Sequence, residues 1–197
     1  MSASRTQDTL KFLQFVNDIK IQPRRGWQLR GLSNVESVSD HMYQMSVMAM
    51  MITDKMGLDK NRCVQMALVH DMAECIVGDI TPVDGVSKEE KHRREKETMD
   101  KLSKLAGPEA GQELYELWKE YEEQSSPEAR FVKDLDRFEM ISQAFQYEKR
   151  ENKPGLLQEF FDSTQGKFNH PLVKEWVEEL NRQRGSLISE HQCQTSS

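Results

Sequence analysis

Two imidazoles and two carboxylates stand in unusually apolar company along this chain. They are His41 in SVSDHMYQMSVMAMM, the adjacent His70 and Asp71 in ALVHDMAE, and Asp136 in FVKDLDRFEMI. None of these side chains is cheap to bury unpaired. In the order H…HD…D they form a ligand set for one divalent ion. Two imidazoles with two carboxylates suit a borderline metal such as Mn, Fe, Co or Zn, and Mg less well. Four protein ligands around an octahedral ion leave two positions open, one for water and one for a phosphate oxygen. That arrangement serves phosphate ester hydrolysis. A lone histidine on a Met-rich helix is more often a hydrogen-bonded core residue, and an HD dipeptide recurs by chance. The weight rests on the ordered combination, each member flanked by helical apolar residues.

Two further acidic residues come after the HD pair. Glu74 is four residues beyond His70 and is expected on the same helix face. There it can take a proton from an attacking water or give one to a leaving group. Asp79 stands in GDITP. With Glu74 and a carbonyl near Ile80 it can instead hold a second, weaker cation, as two-metal phosphatases do. The plainer alternatives are a solvated helix-end charge for Glu74 and a turn residue for Asp79, and the sequence leaves these roles open.

The elements that must position these residues read as helices, because apolar residues recur at helical spacing and strand alternation is scarce. A first helix is expected at about 6–20, from Leu10, Leu13, Val16 and Ile19. The loop IQPRRGWQLRGLSNVE comes next, marked by Pro23, Gly26 and Gly31. Ser37 or Ser39 can cap a helix carrying His41 to about Met56, where Gly57 stops it. Asp59 caps a third, carrying His70 to about Val77. GDITPVDGVS reads as a polar loop. A charged helix starts near Ser87, whose SKEE has capping-box form, and ends before Gly107-Pro108. Further helices are expected at roughly 109–124, 127–150, 154–164 and 171–183, the last ended by Gly185. The expectation is a single all-α domain over residues 1–184, with 185–197 a disordered tail.

The bulk numbers narrow the function. With 197 residues the chain can bury a real core. The net charge of −6 argues against a nucleic-acid partner, so a phosphate substrate would need local cations near the metal. The run KEEKHRREKE alternates in sign and reads as a solvated helix face, and His92, His170 and His191 as surface residues. Cys63, Cys75 and Cys193 form no CxxC pair, which fits metal-free thiols in a reduced compartment. MSASRTQDTLKFLQF has no secretory signal pattern, and MSVMAMMI is too short to span a membrane. A cytoplasmic or otherwise intracellular soluble protein, without membrane attachment, is the expectation.

H…HD…D with HDxxE resembles the HD-domain metal-dependent phosphohydrolases over about residues 8–183. ESVSDHMYQMSVMAMM, RCVQMALVHDMAECIVGDITP and KDLDRFEMISQAFQYE resemble the 5′-deoxynucleotidase branch in particular. The resemblance implies an all-helical HD fold and hydrolysis of deoxynucleoside 5′-monophosphates to deoxynucleoside and phosphate. It implies a divalent metal (Mn, Co or Mg) and a homodimer. By position it makes His41, His70, Asp71 and Asp136 the metal ligands, and Glu74 and Asp79 the acidic pair after the HD. The family places an Arg and a Trp before the first His, at the phosphate and the sugar. Arg24 or Arg25, with Trp27, are the candidates here. Gly26 separates Arg25 from Trp27 where the bacterial proteins have Arg directly before Trp, so either arginine remains possible. A basic surface loop with Trp27 in the core is the alternative, and Thr81 and Pro82 either shape the pocket or form a plain turn. Competing functions are another HD phosphohydrolase acting on other nucleotides and a non-catalytic nucleotide-binding regulatory module. The first kind generally carries larger domains or a GYP segment absent here, and degenerate HD proteins usually lose a ligand, whereas all four stand in this chain.

Overall fold

Helices succeed one another from the start of the described chain to its end. The computed structural model describes residues 3–195. The helices are α1 (Ala3–Ile19), α2 (Arg25–Gln28), α3 (Val38–Ala49), α4 (Lys60–Val69), α5 (Glu74–Val77) and α6 (Lys88–Ala106). They continue with α7 (Pro108–Glu123), α8 (Pro127–Arg150), α9 (Gln158–Thr164) and α10 (Pro171–Thr195). Short 3₁₀ turns occupy Asp54–Met56 and Pro82–Asp84. The class is all-α, and the backbone packs as two compact units, residues 1–129 and 130–197.

In the first unit, α3 packs on α4, α4 on α7, α6 on α7, and α1 on both α5 and α6. The start of α3 is fixed by a capping box on Ser37, not Ser39. Asp40 N–H donates to Ser37 Oγ at 3.1 Å and Ser37 N–H to Asp40 Oδ2 at 2.8 Å. From that start the buried face is Val38, His41, Met42, Met45, Ser46 and Ala49. The 3, 4, 7, 8 spacing of one helical stripe thus carries His41 inward. Contrary to the expected end near Met56, α3 stops at Ala49. Ile52 N–H turns back to the Ala49 carbonyl, and Ile52 buries to 2% exposure. Gly57, with φ at +64°, ends the next 3₁₀ turn instead.

In the second unit, buried charges stitch α8 to α9 and α10. Asp134, fully buried, accepts the Asn169 and His170 N–H groups at 2.7 Å each, capping α10. His170, expected at the surface, is half-buried with its ring edge on Phe131. Glu148 accepts Arg184 Nε and Nη2 at 2.7 and 2.8 Å and the Leu157 N–H at 2.8 Å. Such bonds are what make a buried ion pair tolerable. Gly185 does not end the last helix. It is not among the positive-φ glycines, and α10 runs through it to Thr195. One interior glycine costs only about 1 kcal/mol, which a long run of helix formers absorbs. The segment expected as a disordered tail is therefore helical through residue 195, and 196–197 lie outside the described residues.

Candidate metal centre

The His-Asp pair sits where a helix ends. α4 stops at Val69, and His70 is its C-cap, with its N–H still on the Met66 carbonyl at 2.9 Å. Over the next residues the backbone tightens to i+3 bonding, Met72 to Val69 and Glu74 to Asp71, before α5 begins. The continuous helix expected to about Val77 is thus broken at the chemistry-bearing residues, a pattern typical of functional segments. Glu74 consequently belongs to α5, not to the helix that carries His70.

The two neighbouring side chains converge with His41 at this helix end. Asp71 Oδ2 lies 3.3 Å from His70 Nε2 and 3.8 Å from His41 Nε2. One ligand atom from each of His41, His70 and Asp71 falls within 4.8 Å of the others. Both histidines are buried, their ring centroids 5.4 Å apart. His70 Nδ1 lies 3.0 Å from the Ala67 carbonyl. A carbonyl only accepts, so Nδ1 donates to it and Nε2 is the nitrogen left facing the site. That buried Nε2 has no hydrogen-bond partner among the described residues. An imidazole oriented by a backbone carbonyl, with its other nitrogen aimed at a carboxylate and a second imidazole, is how proteins present metal ligands. The donor set fits a divalent ion.

The surrounding charges are sorted by the loop before α3. Pro23 and Ser37 form an antiparallel bridge, with Arg24 N–H on the Glu36 carbonyl at 3.0 Å and Val38 N–H on the Gln22 carbonyl at 2.8 Å. This pins Arg24 beside the site. Its Nη1 is 3.3 Å from Asp71 Oδ2 and its Nε 4.0 Å from Glu36 Oε1. Arg25 turns the other way, its Nε donating to Asp84 at 2.9 and 3.1 Å on the exposed side. Burial pushes the Asp71 carboxyl up, but His70, Arg24 and His41 outweigh it and hold Asp71 well below the usual range. Glu74 goes the opposite way. Burial, then the nearby Asp71 and Asp79 charges, raise its carboxyl well above the ordinary value, which Arg24 and Lys91 only partly offset. Its Oε2 is buried with no hydrogen-bond partner among the described residues.

The other sequence candidates fall into turns, the core and the second unit. Asp79 Oδ2 accepts the Arg25 N–H at 2.7 Å, at the start of α2. Thr81 donates both its N–H and hydroxyl to Asp84 Oδ2 at 2.8 Å, a turn-closing role. Ile80 and Asp79 line a cleft of about 260 Å³ with Gln22, Arg25, Gln28 and Asp84. Trp27, expected beside the sugar, is 1% exposed, and its indole N–H donates to Glu36 Oε1 at 2.8 Å. The core reading of RRGW therefore holds for Trp27. Asp136 lies on α8 in the second unit, its carboxylate accepting from Lys133 Nζ at 2.8 Å. Two residues were not legible in the sequence. Glu36 orients both Trp27 and Arg24, and nothing in its local pattern marks it. Lys91 belongs to the supposedly solvated charge run, yet it stands four residues before buried Glu95 on the inward stripe of α6.

Comparison with known proteins gives this geometry a family. Residues 16–177 match the family described as HD domain, a span that runs through both units. The human protein named 5′-deoxynucleotidase HDDC2 is 56% identical over 188 residues, 95% of this chain and 92% of its own length. The 5′-deoxynucleotidase hdd1 of Schizosaccharomyces pombe is 44% identical over 189 residues, 93% of this chain and 94% of its own. Among solved structures, the PH0347 protein from Pyrococcus horikoshii superposes with a TM-score of 0.71 at 32% identity. That match covers 90% of this chain and 99% of the other.

Proposed function

The chain belongs to the HD-domain family, and from that premise we propose that it is a 5′-deoxynucleotidase, a metal-dependent hydrolase of deoxynucleoside 5′-monophosphates. The observation that carries the reading is the convergence of His41, His70 and Asp71 on one point, with His70 Nε2 buried and unpartnered. The names borne by relatives at 44–56% identity supply the substrate class.

His41, His70 and Asp71 would hold a divalent ion, with Asp136 as the fourth ligand by the family pattern. Manganese or cobalt suits this set, with magnesium the harder alternative. When bound, such an ion supplies Lewis acidity, polarising a phosphate oxygen and easing deprotonation of water. The chain's own groups do the rest. Arg24 offers its guanidinium to the phosphate. Glu74, whose carboxyl is raised above its ordinary value by burial and the neighbouring acidic charges, is the group read as giving a proton to the departing 5′-oxygen. Its alternative role, with Asp79 and the Ile80 carbonyl, is to hold a second, weaker cation. Arg25, Asp84 and Thr81 tie the loop that carries Asp79, and Thr81 is read as a substrate contact by the family resemblance. Trp27 acts from the core through Glu36, keeping Arg24 in place. The assembly is read as a homodimer in the cytoplasm. The dimer rests on the family resemblance alone. No helix among the described residues is long and apolar enough to cross a membrane.

The test is phosphate release from a panel of deoxynucleoside and ribonucleoside 5′-monophosphates and their 3′ isomers, each with Mn, Co and Mg. The expected result is turnover of the 5′-deoxy series, little of the rest, and none after chelation. Equal rates on dAMP, AMP and the 3′ isomer would replace this reading with a broad phosphatase. Silence on every deoxynucleotide with every metal would favour a non-catalytic binding module.

A further inference from the structure

The second unit holds a cavity of about 310 Å³ between α8, α9, α10 and the turn that joins the last two. Sequence spacing builds its walls. Val177, Asn181 and Arg184 recur at i, i+4 and i+7 along one face of α10, and Gln158, Phe161 and Asp162 at i, i+3 and i+4 along α9. Ile141 and Phe168, both buried, complete the apolar lining. The turn before Phe168 is tied in place. Lys167 N–H donates to the Thr164 carbonyl at 3.0 Å, and the Lys167 carbonyl accepts from Arg137 Nη1 at 3.0 Å. These bonds pre-form the wall, as small-molecule pockets generally require.

Arg184 adds a flat polar surface to that lining. Its side chain is 7% exposed, and its guanidinium carbon lies 3.8 Å from the centre of the Phe161 ring. Nε and Nη2 donate to Glu148 at 2.7 and 2.8 Å, and Nη1 donates to Gln158 Oε1 at 2.8 Å. The Gln158 amide is engaged at its other end too, donating to Asp162 Oδ1 at 2.8 Å. The exposed amides of Gln165 and Asn181 then stand at the mouth to meet a ligand. Charge narrows the ligand class. Glu148 answers the Arg184 charge, and the other ionisable lining residue is Asp162, an acid. A phosphate finds no uncommitted cation here. A neutral flat ring finds two buried phenyl rings to pack on and carboxamides that each offer a donor and an acceptor. Nucleobases are held in this way, packed on aromatic rings or guanidinium planes and read along an edge by Asn or Gln. The volume sits at the small end of ligand pockets, which suits one ring system rather than a dinucleotide.

We propose that this cavity is a second ligand site, which takes the base of a free nucleobase or nucleoside, with the ring packed on Phe161 and Phe168 and its edge read by Gln165 and Asn181. None of its lining residues is a proposed metal ligand, so binding needs no metal and stands apart from the deoxynucleotidase reading.

The test is calorimetry on the full chain in chelator, with adenine, deoxyadenosine and dAMP as probes, together with amide chemical shifts of the protein titrated with deoxyadenosine. Wild type is expected to bind adenine and deoxyadenosine saturably, and dAMP no more tightly than deoxyadenosine. Shifts should centre on Gln165, Gly166 and Asn181. Val177→Phe, which fills the cavity, should abolish binding and leave deoxynucleotide turnover unchanged. Asn181→Leu, at an exposed position that tolerates exchange, should lower deoxyadenosine affinity about five-fold or more, the scale of a lost base-edge contact. No saturable binding by wild type, or unchanged affinity in both variants, overturns the proposal. Shifts confined to residues 70–80 overturn it by moving the ligand to the metal centre. Affinity lost in Val177→Phe and kept in Asn181→Leu overturns the edge reading by leaving an apolar cavity that accepts any ring, and tighter binding of dAMP overturns the neutral ligand class.

Discussion

Arg24→Ala is expected to lower kcat/KM about 10- to 150-fold, whereas Arg25→Ala stays within about five-fold of the parent. The difference comes from where each guanidinium is held. Arg24 is 14% exposed, and its approach to Asp71 Oδ2, at 3.3 Å, lies at the long end for a hydrogen bond. It is held beside the proposed metal ligand, where a metal-bound phosphate would meet its guanidinium. A charge-assisted hydrogen bond to a charged group contributes about 1.5–3 kcal/mol, which sets the expected range. Arg25 is 48% exposed and paired with Asp84 at 2.6 Å. An exposed pair contributes about 1 kcal/mol or less, and Asp84 keeps both bonds from Thr81 when Arg25 is gone. Arg24 also opposes the burial of the Asp71 charge, so its removal can weaken metal binding as well. The assay is therefore phosphate release from a deoxynucleoside 5′-monophosphate at saturating metal, with metal affinity measured in parallel. Arg24→Lys should fall between parent and Ala, since it keeps the charge and loses the fork. Equal losses in the two Ala variants, or an Arg24→Ala enzyme within five-fold of the parent at saturating metal, would refute the assignment.

Three further outcomes are expected. Glu74 has a folded-state pKa above its unfolded one, so its proton stabilises the metal-free protein at low pH. That contribution fades as pH rises from the unfolded value through the folded one. Glu74→Gln, fixed in the neutral form, should therefore gain on the parent across that window by up to about 1.4 kcal/mol per pH unit. Melting in chelator over a pH series checks it, and a pH-independent difference contradicts it. Asp134→Ala strips two capping bonds from α10 and should cost about 2–4 kcal/mol, read as a drop in urea midpoint at constant slope. Gly185→Ala should stabilise by about 0.5–1 kcal/mol, because the residue is interior to α10 and nothing lies within 4 Å of an added Cβ. No gain would restore Gly185 as the helix terminator.

What the sequence makes legible is local. Ser37, Asp59, Ser87 and Ser126 each accept a backbone N–H at the start of a helix, so those starts are set by residues three or four apart. The apolar stripe of α3 brings His41 inward for the same reason. The rest depends on bonds between distant segments. Arg24 and Arg25 are one residue apart, and only the bridge from Pro23 to Ser37 decides which faces Asp71. Lys91 sits in a run whose alternating signs read as solvated, although its spacing to Glu95 and Thr98 places it on the inward stripe. Periodicity reports which residues are buried and says nothing of which backbone bonds join them. ALVHDMAECIV keeps a helical rhythm through the point where the helix breaks. In an unbroken helix His70 and Asp71 would splay by about 100°. Even so, Asp71 Oδ2 reaches to within 3.3 Å of His70 Nε2 and 3.8 Å of His41 Nε2. An adjacent His-Asp pair can thus serve one ion because both side chains lean to one edge of the helix end, where His41 arrives from α3.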